Sequence, residues 1–420
     1  MSKNKSYFNV KNIQTISTEK AHSLYGEILP DIIEKRLKLE LKHIKDNDLS
    51  VFYNRCYFAA NHAHDNGQLT TALGDIGSSL VAFLLDITNV NPLPPHYICC
   101  NCNYNEFINE PKVYSCYDLP KKTCPVCGKA LYCDGHNIPY ETLIGYDGKK
   151  QPNIRLCYPM YFKENMPQDI SNVNILDYVP LEMLLLLEKH TGISYKNVNF
   201  NDPRIYELFS NSRVIGIDSD EPATIGIPEF GTEFVRNIIK EIKPANFGDL
   251  IRIIGLTHAN KVWFKTAKKL LANNICDFRD LTSSNEDIYN NLINNGIEKN
   301  IALKIAYTAN KRLFAKSGLE NNMEIIQAFN NRNISEWYIN SLSVTRDMLP
   351  KAHSIEFLKL SLAFAWYKIY YPIEFYTVAF NTTYLEDSIS ISFLTECINR
   401  GILVNRNQNN HKIILEKILP

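Results

Sequence analysis

Four cysteines constrain this chain more than any other feature of its sequence. Cys99 and Cys102 form one C-x2-C pair, Cys124 and Cys127 a second, with 21 residues between them. A two-residue gap lets both thiolates of a pair point at one ion. Two such pairs complete the tetrahedral shell that zinc prefers. Four thiolates leave no open position, so the zinc they imply is structural. The competing reading is buried or redox cysteines grouped by chance. Eleven cysteines in all, with two pairs in knuckles, fit a reducing cytoplasm better than a disulfide scaffold.

Composition narrows the class without naming it. A chain of 420 residues has room for two or three domains and a substantial core. Lys and Arg number 45 and Asp and Glu 45, for a formal net charge of zero. Tight non-specific nucleic-acid binding usually needs a basic excess, so such binding here requires a local basic face. No basic start is followed by an apolar core, so no signal peptide is expected. The longest apolar runs, around Leu80–Leu85 and Met183–Leu187, are far short of a membrane span, and no membrane partner is expected.

Read in order, residues 1–17 are polar and patternless, a loose leader. A helix is expected from about Glu19, with Ile33, Leu37, Leu41 and Ile44 at helical spacing; Pro30 starts it or separates it from a shorter helix. VFYNRCYFAANHAHD predicts another helix; His62 and His64, two apart, point to different sides and make no metal pair. Residues 67–88 read as a glycine-rich turn opening onto a helix, whose backbone N–H groups could meet a phosphate at Gly77, Ser78 and Ser79. Asp202 and Pro203 cap and open a helix to Phe209, and Phe234, Ile238 and Ile242 form a core stripe. From Phe247 to Lys311 the pattern is helical, and Lys261, Lys265, Lys268 and Lys269 cluster at helical spacings. That cluster is either a solvated surface or a phosphate-contacting face. The tail from Asp387 predicts a helix followed by one or two strands.

PLPPHYICCNC, DLPKKTCPVCG and DGHNIPYETLIGYDGKKQPNIRL resemble the palm of PolC-type bacterial DNA polymerase III alpha subunits, and the likeness runs with gaps from about Glu19 to about Phe380. The resemblance implies an α+β fold. A polymerase-beta-like palm remnant would span residues 18–215, with the four-cysteine zinc module inserted at about 92–130. An all-helical fingers domain, 216–385, and a short helix/strand tail, 386–420, would follow. It also implies DNA-directed DNA polymerisation in replication, with aspartates holding magnesium. In the family a glycine-rich block reads GSRGSVGSS. Here Thr71, Ala72 and Leu73 replace its Gly-Ser-Arg and Asp75 a serine, so a phosphate arginine is lost and a carboxylate gained. The family strand PDIDLNFS becomes Pro152, Asn153, Ile154, Arg155, Leu156, and Asn174 falls at the third aspartate position, with well over a hundred family residues missing between the two blocks. On the same likeness His258 and Lys261 lie in a fingers block that approaches the nucleotide, and Lys351 and His353 match a pair facing its phosphates.

Magnesium sheds water only for strong, hard anionic donors. At about 5 Å and an effective dielectric near 20, a guanidinium repels a divalent ion by on the order of 6 kcal/mol. No bound magnesium is therefore expected. The expected function is a PolC-like core without polymerase chemistry that binds primer-template DNA or a replication partner. One alternative is a functional polymerase subunit recruiting acids such as Asp177 or Asp147. Another is a protein-interaction module or decoy with no nucleic-acid role.

Overall fold

A buried acid fixes the first layer of the fold. The helix Asp31–Asp46 buries Ile33, Leu37 and Ile44 on one face, as the spacing predicts, but the fourth member of that face is Glu40, 0% exposed, and not Leu41. The structure, a computed structural model, describes residues 13–110, 113–160, 173–258, 267–311, 322–332, 334–345, 347–382, 387–406 and 413–417. In chain order its opening elements are α1 Ile13–Tyr25, α2 Asp31–Asp46, α3 Ser50–Asp65, β1 Thr71–Gly74, α4 Leu80–Leu84, β2 His96–Ile98, β3 Asn105–Phe107, β4 Tyr132–Asp134, α5 Glu141–Ile144, β5 Ile154–Tyr158 and β6 Asn174–Asp177. Helices follow: α6 Val179–Thr191, α7 Pro203–Glu207, α8 Glu233–Ile242, α9 Phe247–His258, α10 Lys268–Ala272, α11 Asn285–Asn294, α12 Lys299–Asn310, α13 Met323–Asn330, α14 Glu336–Val344 and α15 Lys351–Tyr370. The tail holds α16 Pro372–Asn381, α17 Asp387–Asn399 and the antiparallel pair β7 Ile402–Arg406 and β8 Ile413–Lys417. The fold is α+β.

Two boundaries differ from the sequence reading. α1 begins at Ile13, inside the stretch read as a leader, because Ile13, Ser17, Ala21 and Tyr25 bury at four-residue spacing. Two of those four are small, so the stripe is hard to see in the sequence. Residues 71–74, expected in a turn, form β1, which pairs antiparallel with β5 from Thr71↔Cys157 to Gly74↔Ile154.

The chain divides into two compact units. The first comprises residues 1–157, 165–176 and 255–356. Its strands form two small sheets, ordered β1-β5-β6 and β3-β2-β4. Beside them lies a helical cluster packed around Ile288, Leu292, Ile305, Ile325, Phe329 and Leu342. The second unit comprises residues 158–164, 177–254 and 357–420, with a core that includes Phe209, Phe230, Phe364, Phe375 and Tyr376. Among the described residues no helix is long and apolar enough to cross a membrane.

Glu40 is where α2 meets α4. Its carboxylate accepts the Ser79 hydroxyl at 2.7 Å and the backbone N–H groups of Leu80 and Val81 at 3.0 and 3.1 Å. Arg36 pairs with it at 2.5 Å and donates onward to the carbonyls of Ser78 and Ile138. The orphan donors at the start of α4 thus meet a charge from within the protein. The antiparallel register between β1 and β5 then depends on Gly74. Its φ is +119°, and a Cβ there would lie 2.3 Å from the Asn153 carbonyl oxygen.

Glu40→Gln removes the charge that Arg36 and three further donors satisfy. It is expected to cost about 3 kcal/mol, read as a lower urea midpoint, whereas an unchanged midpoint would show that α2 and α4 hold together without that pair.

Candidate nucleic-acid interface and metal centre

The two cysteine pairs fold into geometrically equivalent turns. In the first, Asn103 N–H donates to the Cys99 carbonyl at 3.0 Å and Cys99 N–H to the Tyr104 carbonyl at 2.8 Å. In the second, Gly128 donates to Cys124 at 2.9 Å and Cys124 to Lys129 at 2.7 Å. The residue four past the leading cysteine has a positive φ in both, +57° at Asn103 and +71° at Gly128. β2 leads into the first turn. The spacer carries β3 out, and the second turn returns into β4, which pairs with β2 from His96↔Asp134 to Ile98↔Tyr132. All four sulfurs lie within 4.8 Å of one another, with Cys99 Sγ to Cys127 Sγ at 3.4 Å and Cys102 Sγ to Cys124 Sγ at 3.5 Å. Those separations far exceed the roughly 2.05 Å of a disulfide and approach the roughly 3.8 Å edge of a tetrahedron with 2.3 Å zinc–sulfur bonds. Within the cluster the Asn101 N–H helps draw the Cys99 thiol down, while the neighbouring sulfurs push the Cys102 thiol up, as expected of sulfurs sharing protons at close range. The donor set fits a structural zinc.

A cleft of about 670 Å³ opens in the same unit, lined among others by Asp75, Lys150, Asn153, Arg155, Glu286 and Tyr307. Its floor is the start of β5. Asp75 Oδ1 accepts the Asn153 N–H at 2.6 Å, and Lys150 Nζ pairs with Asp75 Oδ2 at 2.7 Å. Asp75, which the sequence reading treats as a carboxylate repelling phosphate, is therefore balanced by Lys150. Nothing short-range in the sequence signals that pairing, since 75 residues separate the partners. Glu286 is buried in the cleft wall, accepts the Lys351 N–H at 3.0 Å, and is pushed by burial above the usual carboxylate range. Tyr307 also lines the cleft and meets Tyr146 at 5.5 Å between ring centroids. Sequence reasoning passed over Lys150, Glu286, Tyr307 and Lys311, another lining residue, because helical or loop context gave them no special signal.

The structure sorts the sequence candidates into three groups. Asn153 and Arg155 line the cleft on the exposed face of β5, and Asn174 is exposed at the start of β6, the next strand in the sheet. Amides and a guanidinium at these positions do not fit a magnesium ion. Among the described residues, neither Arg155 nor Lys311 has an ion-pair partner, and both are exposed. His353 also lines the cleft. Its imidazole is pushed down to about 3 by burial and then by the Arg155 and His258 charges, so it is neutral near pH 7.

A second group points elsewhere. Gly77, Ser78 and Ser79 are buried in a 3-10 turn and at the cap of α4. Ala352 occupies the place of a Cβ on Gly77, and Ser79 donates to Glu40. Lys351 is 2% exposed, and its ammonium donates to the carbonyls of Tyr114 and His136 at 3.0 and 2.7 Å, over the Tyr114 ring at 3.7 Å. Lys268 and Lys269 are exposed on α10, and His258 is exposed at the end of α9. A third group, Lys261 and Lys265, lies outside the described residues.

Two family models match. The bacterial DNA polymerase III alpha NTPase domain matches residues 11–172, and the bacterial DNA polymerase III alpha subunit finger domain matches residues 180–291. The PolC-type DNA polymerase III of Bacillus subtilis is 28% identical over 526 positions, taking in 97% of this chain and 36% of the relative. That of Lacticaseibacillus paracasei is 30% identical over 469 positions, with 86% of this chain and 32% of the relative covered. The chain spans about a third of the length of the curated relatives it matches. Since the first alignment runs over 526 positions and the chain has 420 residues, more than a hundred of the relative's positions have no counterpart here.

Stripping metal with a strong chelator is expected to lower the thermal midpoint, and added zinc to restore it, because structural zinc in such sites is worth on the order of 10 kcal/mol. A midpoint indifferent to both treatments would remove the ion from the account. His353 generates a pH dependence of defined sign. Its folded pKa is depressed below the ordinary 6.5, so its contribution to stability is complete above that value and falls away toward pH 3. Urea midpoints at pH 7 and pH 5 should differ less in His353→Gln than in the parent chain; equal differences would count against the burial.

Proposed function

Because the chain belongs to the PolC-type bacterial DNA polymerase III family across the span of those matches, we propose that its cleft holds primer-template DNA through direct contacts to phosphate and does not extend the primer. One observation carries this reading: Arg155, at a position where the resemblance puts a metal-binding aspartate, is exposed, lines the cleft and has no ion-pair partner among the described residues. Lys311 lies on the same cleft in the same state. Two exposed cationic side chains without an ion-pair partner among the described residues are suited to backbone phosphates. The Tyr146 and Tyr307 rings beside them offer apolar surface on which an unpaired base can stack. The overall charge of zero fits a contact confined to this cleft. Zinc, in this reading, has the structural role of holding the β3-β2-β4 sheet, and the protein works in the cytoplasm alongside other replication proteins.

A second reading, docking to a replication protein without DNA, is favoured by the neutral total charge. The two separate on a gel shift with primed DNA across a salt series. The expected result is a salt-dependent shift whose logarithmic slope drops by about one when Arg155 becomes Ala, with no magnesium-dependent primer extension. No shift at low salt supports protein docking alone. Extension that vanishes in Asp177→Ala overturns the non-catalytic reading.

A further inference from the structure

The chain holds a second set of metal-binding side chains that the first zinc centre does not use. Cys116 sits in a 3-10 turn, Cys116–Asp118, and Asp134 and His136 flank Gly135 just past β4. One ligand atom from each lies within 4.8 Å of the other two, and Cys116 and His136 are 0% and 1% exposed. The segments are fixed before any ion arrives. Cys116 N–H donates to the Gly135 carbonyl at 2.9 Å, and the N–H groups of His136 and Asn137 both donate to the Leu93 carbonyl at 2.8 Å. Lys351 grips the His136 carbonyl, and Ser115 Oγ lies 3.0 Å from His136 Nδ1, the kind of outer contact that orients a ligating imidazole.

The charge balance supplies an independent argument. Asp134 is half-buried, and its carboxylate is met by neutral donors, Asn91 Nδ2 at 2.7 Å and Gly135 N–H at 2.8 Å. Among the described residues no lysine or arginine pairs with it. A withdrawn carboxylate beside a thiol and an imidazole, with no cation of its own, is an environment that a divalent ion completes. Sulfur, nitrogen and oxygen donors together select a borderline ion over magnesium or calcium. Ligand atoms around a tetrahedral zinc stand roughly 3.3–3.7 Å apart, so the set, within 4.8 Å, closes by about 1.5 Å at most.

We infer that Cys116, Asp134 and His136 form a second zinc site, at the end of the β3-β2-β4 sheet opposite the four cysteines. β2 begins at His96, paired with Asp134, and ends at Ile98, one residue before Cys99, so the two centres clamp the same three strands from both ends. Three protein ligands leave the fourth position to a water on the side of the half-buried Asp134. The burial of the other two ligands makes the ion a clamp.

The test uses the full chain, reconstituted with zinc for metal analysis and with cobalt for absorption spectra. Cys116→Ala and Asp134→Asn are each expected to hold about one metal equivalent less than the parent, while the tetrathiolate cobalt spectrum of the other centre stays unchanged. Equal metal content in the parent and in either variant that keeps that spectrum overturns the inference. Asp134→Asn, which preserves side-chain shape, decides the matter if Cys116→Ala fails to fold.

Discussion

A charge withdrawn from water must be answered inside the protein, and this fold is assembled around such answers. Glu40 is met by Arg36, the Ser79 hydroxyl and two backbone donors, which locks α2 to the start of α4. Glu356 does the same in α15, accepting from Thr71, Thr88 and the Asn89 N–H, and so fixes β1 to that helix. Lys351 gives its ammonium to two carbonyls, and Lys368 pairs with Glu396 and donates to the carbonyls of Ala223 and Ile225. Replacing either partner leaves a desolvated ion with nowhere to go, so each network is nearly all-or-none. The small sheets alone, of two or three short strands, could not hold these segments in place.

The cleft follows from the same rule applied to fewer partners. Asp75 and Lys150 neutralise each other, and burial favours the neutral form of Glu286. Among the described residues, two exposed cations of the lining, Arg155 and Lys311, have no ion-pair partner.

Much of this was legible in the sequence, and the failures have physical causes. The cysteine spacing announced its knuckles because thiolate geometry is local. The helix after Pro30 also followed from pattern and punctuation, and the strand through Ile154 and Arg155 from the family resemblance. The glycine-serine turn did not. Its residues suggested exposed donors, but the turn is buried, the Ser78 and Ser79 N–H groups go to the Asp75 and Ile76 carbonyls, and Glu40, nearly forty residues earlier, takes the next two N–H groups. Lys351, matched by resemblance to a residue facing nucleotide phosphates, is a buried brace, because what decides its place is a pair of carbonyls more than two hundred residues away. Side-chain periodicity reports which face of a helix is apolar. It says nothing about which polar groups a distant segment will claim.

The matched bonding of the two knuckles bears on how the module assembles. Each turn closes over six residues with its own backbone bonds, Cys99 to Tyr104 and Cys124 to Lys129, so each forms locally and cheaply in entropy before any ion is present. Joining them across the 21-residue spacer carries the larger entropy cost, and it is the step that a bound ion would drive. During synthesis the first turn leaves the ribosome ahead of its mate. For that interval a half-built centre presents two thiolates to the cell, open to oxidation or to capture by a softer metal such as copper(I).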